Sequence, residues 1–251
     1  MIGCEEKGAH SLSFSFHGIM VGDFLEKQVD LMEHDYSGYT AGLIRSRPDH
    51  IQVLEQYAQE HRVPIMQPEG MEAILQMLRI QRPARILEIG TAIGYSAIRM
   101  AEALPDAAIV TIERDGEMQE RAKENFRDIP AGRRVRLIAG DALDLGDQMP
   151  EGPFDALFID AAKGQYRKFF DLFSPLLGER AVVYCDNMFM HGLAAEQPED
   201  VPKRNRSMIR KLKEFTEWIM DHPDYDSALL PAGDGILVSV KKETTREGAG
   251  I

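Results

Sequence analysis

The chain has 251 residues, of which 44% are hydrophobic and 28% charged. This composition suits a soluble globular protein, and the length suits one large α/β domain as well as two domains. No apolar run is long enough to cross a bilayer, and a net charge of −12 argues against broad, non-specific binding to nucleic acid. Cys4 and Cys185 are the only cysteines, so we expect no disulfide framework and a cytoplasmic protein without a secretory signal.

The N-terminal third predicts a tail followed by helices. Residues 1–18 have no continuous apolar stretch and are expected to be disordered, as is the polar C-terminal tail 243–251. Scattered apolar residues in 22–44 suggest short helices. A helix start is predicted at 47–49 and another near Pro68, with a break between them at Val63–Met66.

From Arg85 onward the pattern predicts alternating strands and helices. Helices are expected at Ser96–Ala103, Asp115–Arg127 and Gln165–Leu177. The strands show little polar alternation, which indicates a mostly parallel sheet covered by helices on both faces. A turn signal at 232–235 predicts that the last two strands form an antiparallel hairpin. The seven predicted strands are Arg85–Ile89, Ala108–Glu113, Val135–Ala139, Phe154–Asp160, Ala181–Asp186, Ser227–Pro231 and Ile236–Lys241.

A glycine-bearing turn follows the first predicted strand. Gly90 and Gly94 stand between that strand and a helix start, where free backbone N–H groups and close approach favour a bound ligand. The second strand ends at Glu113, a place where a carboxylate commonly takes ribose hydroxyls. Asp141, after the third strand, is either a partner for an adenine amino group or an ordinary cap residue. Together these features favour a nucleoside-cofactor site.

Two neighbouring strands end on carboxylates. Asp160 follows one apolar run, and Asp186-Asn187 follows the next. Such hard oxygen ligands suit Mg²⁺ or Ca²⁺ better than zinc. Lys163 adds a candidate proton acceptor three residues after Asp160. The alternatives are a solvated lysine at a helix start and a helix cap at Asp186-Asn187.

These motifs together resemble the cation-dependent, S-adenosylmethionine (SAM)-dependent O-methyltransferases, such as the catechol and caffeoyl-CoA enzymes. The likeness covers about residues 45–242 and rests on the segments 87–96, 113, 140–142, 158–166 and 186–187. Within that group it is greatest to the bacterial tRNA 5-hydroxyuridine methyltransferases, through the segments 47–49, 61–66, 161–166, 202–204 and 220–225.

The resemblance implies a Rossmann-like class I methyltransferase fold, a single catalytic domain over 19–242 and a homodimer. It implies that Asp160, Asp186 and Asn187 hold Mg²⁺ or another divalent cation. Lys163 would be the general base or stabilise the developing oxyanion, and Asp160 would serve both cation and cofactor. The SAM contacts that it implies are Met66, Glu88, Gly90, Ser96, Glu113, Asp141, Ala142 and Asp160.

Basic residues crowd the start of the last long predicted helix. Four of them, Lys203, Arg204, Arg206 and Arg210, are candidates for phosphate contact with a tRNA anticodon loop, although a charged helix face is usually just solvated. The predicted reaction is the conversion of 5-hydroxyuridine to 5-methoxyuridine at the wobble position. The alternatives are O-methylation of a small catechol or phenylpropanoid, and a non-catalytic cofactor-binding module.

Overall fold

The computed structural model describes residues 37–243. The chain divides into two compact units, residues 1–42 and 43–251. Of the first unit the structure describes only 37–42, the beginning of helix α1 (Ser37–Leu43). The predicted tail 1–18 lies outside the described residues, as do Cys4 and all of the predicted C-terminal tail except residue 243.

Two helices of the second unit precede the sheet. Helix α2 (Asp49–His61) and helix α3 (Pro68–Gln81) begin where the sequence predicts, and Pro68 occupies the first turn of α3, where its missing N–H costs nothing. Both helices end at an arginine in the left-handed conformation. Residues 62–67 therefore form a short link between two amphipathic helices, each with a buried apolar stripe.

A seven-stranded sheet forms the centre of the second unit, in the order β3-β2-β1-β4-β5-β7-β6. The first five strands run parallel, β7 is antiparallel to β5, and β6 is antiparallel to β7. The predicted fold class and C-terminal hairpin are therefore confirmed. The strands are β1 (Arg85–Ile89), β2 (Ala108–Glu113), β3 (Val135–Ala139), β4 (Phe154–Ile159), β5 (Leu177–Cys185), β6 (Tyr225–Leu230) and β7 (Ile236–Lys241).

Helices cover both faces of this sheet. Ile86 of β1 lies in one apolar core together with α2, α3, α4 (Tyr95–Ala103) and α5 (Gly116–Asp128). Its neighbour Leu87 lies in a second core with α6 (Tyr166–Phe173) and α7 (Arg206–Met220). Successive residues of a strand thus face opposite cores, which explains why the strands lack polar alternation.

Two predicted helix boundaries differ from the structure by more than one residue. The helix predicted at Gln165–Leu177 ends at Phe173, because a single 3₁₀ turn containing Pro175 follows it and β5 already starts at Leu177. The basic helix starts at Arg206, so that Lys203 and Arg204 lie in the turn before it.

The strand order places a crevice at the carboxyl ends of the strands. Strand β1 lies between β2 and β4, so the connections after β1 and β4 leave in opposite directions, and ligands of open α/β sheets bind at such a point. Among the described residues no helix is long and apolar enough to cross a membrane.

Candidate active site

A cleft of about 480 Å³ occupies this crevice. Its walls come from the loops that follow β1 to β5 and from the link between α2 and α3. The structure brings together at this cleft every predicted cofactor, metal and catalytic residue except Glu88. Those that line it are Met66, Gly90, Ser96, Glu113, Asp141, Ala142, Asp160, Lys163, Asp186 and Asn187.

Gly90 allows two loops of the cleft to touch. Its φ of +100° lies in the region that favours glycine, and a Cβ atom there would collide with the carbonyl oxygen of Asp160. Gly94 has a φ of +86°, and a Cβ there would lie 2.6 Å from the ring of Phe126. The two glycines therefore hold the first turn of α4 in the cleft wall, next to the end of β4.

Glu113 is fixed by backbone groups at the end of β2. Its Oε2 accepts a hydrogen bond from the Ala92 N–H at 2.8 Å, and its Oε1 accepts from the N–H groups of Arg114 and Asp115 at 2.9 Å each. A carboxylate has about four acceptor positions. The Glu113 side chain is thus held in one orientation and keeps acceptor capacity for a ligand hydroxyl.

Glu88 is placed beneath the glycine loop, away from the cleft wall. Its carboxyl group is fully buried and accepts hydrogen bonds from the hydroxyl groups of Ser96 and Thr111. Burial raises the pKa of Glu88 to about 7. The structure does not bring this predicted cofactor residue to the cleft surface, because its side chain points from the middle of β1 into the core under α4.

The two acidic strand ends are adjacent. Ile159 pairs with Cys185, so Asp160 and Asp186 are the next residues on neighbouring strands, and Asp186 N–H donates to the Ile159 carbonyl at 3.1 Å. Burial first, and then the negative charge of Asp160, raise the pKa of Asp186 to about 7. Two repelling carboxylates at the wall of a cleft form a natural site for a cation.

Lys163 is paired with one of these carboxylates. Its Nζ lies 2.9 Å from Asp160 Oδ1, and its side chain is largely buried. Burial acts to lower the pKa of Lys163, but the ion pair with Asp160 favours the charged form more strongly, so the pKa is raised above its ordinary value. Lys163 is therefore a cation in this arrangement.

The donors at the strand ends fit a hard divalent cation. Asn187 Oδ1 is buried, finds no hydrogen-bond partner among the described residues and belongs to a side chain that lines the cleft. Asn187 adopts a φ of +59°, which asparagine tolerates better than most residues. Within residues 37–243 no group of three or more His, Cys, Asp or Glu side chains surrounds a metal position. The available set is two carboxylates and an amide oxygen, which suits Mg²⁺ or Ca²⁺ rather than zinc.

Gln165 is a polar residue of the cleft that the sequence does not predict as a site residue. Gln165 lines the cleft, and its Oε1 is buried without a partner in the described part of the chain, as is Asn187 Oδ1. A buried acceptor of this kind costs free energy unless a ligand satisfies it. Gln165 lies two residues beyond Lys163 in the segment that follows Asp160, and the sequence pattern of this segment predicts only the start of a helix at Gln165.

The four predicted RNA-binding residues do not line the cleft, and they differ in whether their side chains form contacts within the protein. Arg206 donates to two backbone carbonyl groups of the preceding loop, and Arg210 forms an ion pair with Glu214 at 2.7 Å. Lys203 and Arg204 are exposed, and neither forms an ion pair within the described residues. Two of the four basic side chains are thus engaged in local structure.

The O-methyltransferase family model matches residues 45–242, most of the chain. The chain belongs to the O-methyltransferase family. The O-methyltransferase ankF of Aspergillus thermomutatus is 30% identical over an alignment of 176 positions that covers 65% of this chain and 74% of that one. Catechol O-methyltransferase of Niastella koreensis is 33% identical over 133 residues, 51% of this chain and 60% of its own length.

A solved structure extends the family likeness to the cofactor. The Podospora anserina methyltransferase PaMTH1, with S-adenosylhomocysteine (SAH) bound, superposes with a TM-score of 0.73 at 27% identity, covering 94% of this chain and all of that one. The chain is accordingly a member of the O-methyltransferase family with the class I methyltransferase fold, as the sequence motifs predicted.

Proposed function

We propose that this enzyme methylates one of two adjacent oxygen atoms on an aromatic or heteroaromatic ring, at a site where Asp160, Asp186 and Asn187 would hold a divalent cation such as Mg²⁺. The observation that carries the proposal is the buried, unpartnered Oδ1 of Asn187 beside the carboxylates of Asp160 and Asp186. When bound, the cation acts as a Lewis acid and lowers the pKa of a hydroxyl group of the substrate.

Lys163 supports the reacting oxygen in this proposal. Methyl transfer needs an oxygen anion aligned with the sulfonium methyl group. Because Lys163 is charged beside Asp160, its ammonium group is better suited to stabilising that anion than to removing the proton. The hydroxyl proton would pass to water, and a bound cation would favour that loss by lowering the pKa of the hydroxyl group.

SAM occupies the other half of the cleft in this proposal. The free acceptor positions of Glu113 receive the ribose hydroxyls, and Asp141 stands at the end of β3 where the adenine amino group is expected. Met66 covers the cofactor from the link between α2 and α3, where only 3% of its surface is exposed. Gly90 and Ser96 complete the wall.

The first substrate class is a small catechol-like diol. The Niastella koreensis relative, a catechol O-methyltransferase, supports this class. The whole cleft of about 480 Å³, which includes the half proposed for SAM, lies within the range of small-molecule sites. In a catechol the two hydroxyl groups are neighbours, which is the arrangement that a single cation can hold.

The second candidate substrate is 5-hydroxyuridine in a tRNA anticodon loop. Its 5-hydroxyl and its O4 carbonyl are also neighbouring oxygens. The observation in its favour is that Lys203 and Arg204 are exposed just before α7, while Lys211 of α7 packs beside Gly164, next to Lys163. A basic surface in this position can contact phosphates of a substrate too large for the cleft. The phosphate-binding set that we now propose is therefore Lys203 and Arg204.

The test supplies the purified protein with SAM and Mg²⁺ and either catechol and caffeate or hydroxyuridine-bearing tRNA, each with and without EDTA. Methylated diol supports the first candidate, and 5-methoxyuridine by nucleoside mass spectrometry supports the second. No product from either substrate, or product formation that EDTA does not affect, refutes the proposal. A non-catalytic module would bind SAH and turn over neither substrate.

For the assembly of the protein we propose a homodimer, on the family likeness alone. Light scattering of the full chain tests this proposal, and a monomeric mass would contradict it.

A further inference from the structure

The loop after β5 has an unusual backbone. Asn187, Met190 and His191 all have positive φ angles, between +48° and +59°, and Gly192 follows with +87°. Residues other than glycine rarely adopt this backbone conformation, so the surrounding structure must stabilise it. The loop matters because it begins with Asn187, the amide of the proposed cation site.

Asp234, in the turn between β6 and β7, holds this loop. Its side chain is 6% exposed and accepts hydrogen bonds from the backbone N–H of His191 at 2.8 Å to Oδ1 and 3.0 Å to Oδ2. The His191 ring Nδ1 lies 3.2 Å from Oδ2. The carbonyl oxygen of Asp234 also accepts from the N–H of Phe189 at 2.8 Å, and the Gly235 carbonyl accepts from the N–H of Met188 at 3.0 Å.

The same turn has little room to move. A Cβ at Gly235 would lie 2.7 Å from the Phe189 ring, so the turn presses directly on the loop. On its other side, a Cβ at Gly233 would lie 3.0 Å from the backbone of Gly70 in the first turn of α3. Gly70 in turn lies beside the methyl group of Met66, which lines the cofactor half of the cleft. The turn therefore packs between two walls of the cleft.

We propose that Asp234 is a positioning residue for the cation site. Its carboxylate holds the backbone of the loop 187–191 through the His191 N–H and thereby fixes the position of the Asn187 side chain at the cleft wall. Asp234 itself does not line the cleft, so it acts through the loop. The inference rests on the cation site of the proposed function.

The test measures Mn²⁺ binding to the full-length protein saturated with SAH, by calorimetry or by the electron paramagnetic resonance signal of free Mn²⁺. Asp234→Ala is expected to weaken Mn²⁺ binding about tenfold, as is typical when a group supporting a metal ligand is removed, while SAH affinity is unchanged. Asp234→Asn keeps an oxygen acceptor for the His191 N–H and is expected to restore most of the affinity. Asp226→Ala is the matched control, because it removes an exposed carboxylate from the same hairpin and should leave binding unchanged.

A double-mutant cycle separates positioning from general destabilisation. If Asp234 acts through Asn187, then Asp234→Ala adds little further loss to Asn187→Ala. Equal and additive losses, or wild-type Mn²⁺ affinity in Asp234→Ala, would overturn the proposal. Asp234→Ser replaces Asp234→Ala if the latter does not fold, and the same loss is expected. If the wild-type protein binds no Mn²⁺, the cation site of the proposed function is overturned as well. If wild type binds Mn²⁺ but Asp234→Ala keeps its affinity, only the role of Asp234 is overturned.

Discussion

The two halves of the cleft differ in how their polar groups are satisfied. In the cofactor half, the Glu113 carboxylate accepts three backbone N–H groups, and Asp141 accepts one from Leu143. In the substrate half, Asn187 Oδ1 and Gln165 Oε1 have no partner among the described residues, and Asp186 has a raised pKa. The half proposed for the cofactor is thus preorganised by its own backbone, whereas the half proposed for the substrate contains buried oxygen atoms that a ligand would have to satisfy. The two halves should therefore respond differently to substitution.

The largest expected effect is on the substrate half. Asp186→Asn removes one of the two carboxylates at the proposed cation site, and we expect metal-dependent methyl transfer to fall about 10³-fold, the equivalent of several kcal/mol of transition-state stabilisation. SAH affinity, measured by calorimetry, should stay within error of wild type. A parallel loss of SAH affinity would show that the two halves are not separable.

The next effect concerns the buried carboxyl group beneath the cofactor half. The pKa of Glu88 is raised to about 7 by burial, so the folded state binds its proton more tightly than the unfolded chain does. The stabilisation from this group is complete below about pH 4.5 and is lost as the pH rises through 7, by about 3 kcal/mol in all. Glu88→Gln should remove this dependence.

The measurement is urea unfolding of wild type and Glu88→Gln at pH 5 and pH 8. We expect the variant to be more stable relative to wild type at pH 8 than at pH 5, so that the difference in the free energy of unfolding, variant minus wild type, is larger at pH 8. Equal differences at the two pH values would contradict the assignment of a protonated Glu88.

A smaller effect is expected where the two halves touch. Gly90→Ala places a methyl group against the Asp160 carbonyl at a φ of +100°, and we expect a loss of about 2 kcal/mol in the free energy of unfolding. Gly116→Ala is the matched control, since no atom of the described residues outside its own helix backbone lies within 4 Å of its Cβ position. Equal stability of the two variants in urea would argue against the close contact of the two loops.

The smallest expected effect is on the cofactor half. Glu113→Gln retains a single acceptor oxygen where the carboxylate has two, and loses the charge that strengthens its hydrogen bonds. We expect SAH affinity to fall about tenfold. Mn²⁺ binding by the SAH-saturated variant should be unchanged. A loss of Mn²⁺ affinity as large as the loss of SAH affinity would weaken the contrast between the halves.

Much of the fold was predictable because the strands are apolar on both faces. Strands β1, β2, β3 and β7 have the predicted bounds. The start of β5 was missed because Glu179 and Arg180 interrupt its apolar pattern, although Leu177 already pairs with Phe154 before a register shift.

The grouping of the site residues was also predictable, since a parallel sheet brings the carboxyl ends of its strands to one edge. The direction of an individual side chain could not be predicted in the same way, since the Glu88 side chain points into the core. The sequence places Asp234 in a turn but does not indicate its contact with His191. That contact spans 43 residues and exists only once the hairpin lies beside β5.

The most direct measurement is a crystal structure of the SAH complex soaked with Mn²⁺, examined by anomalous diffraction. We expect one strong anomalous peak in the cleft, coordinated by oxygen atoms of Asp160, Asp186 and Asn187. A map without a peak at these three residues, in crystals with SAH bound in the same cleft, would contradict it.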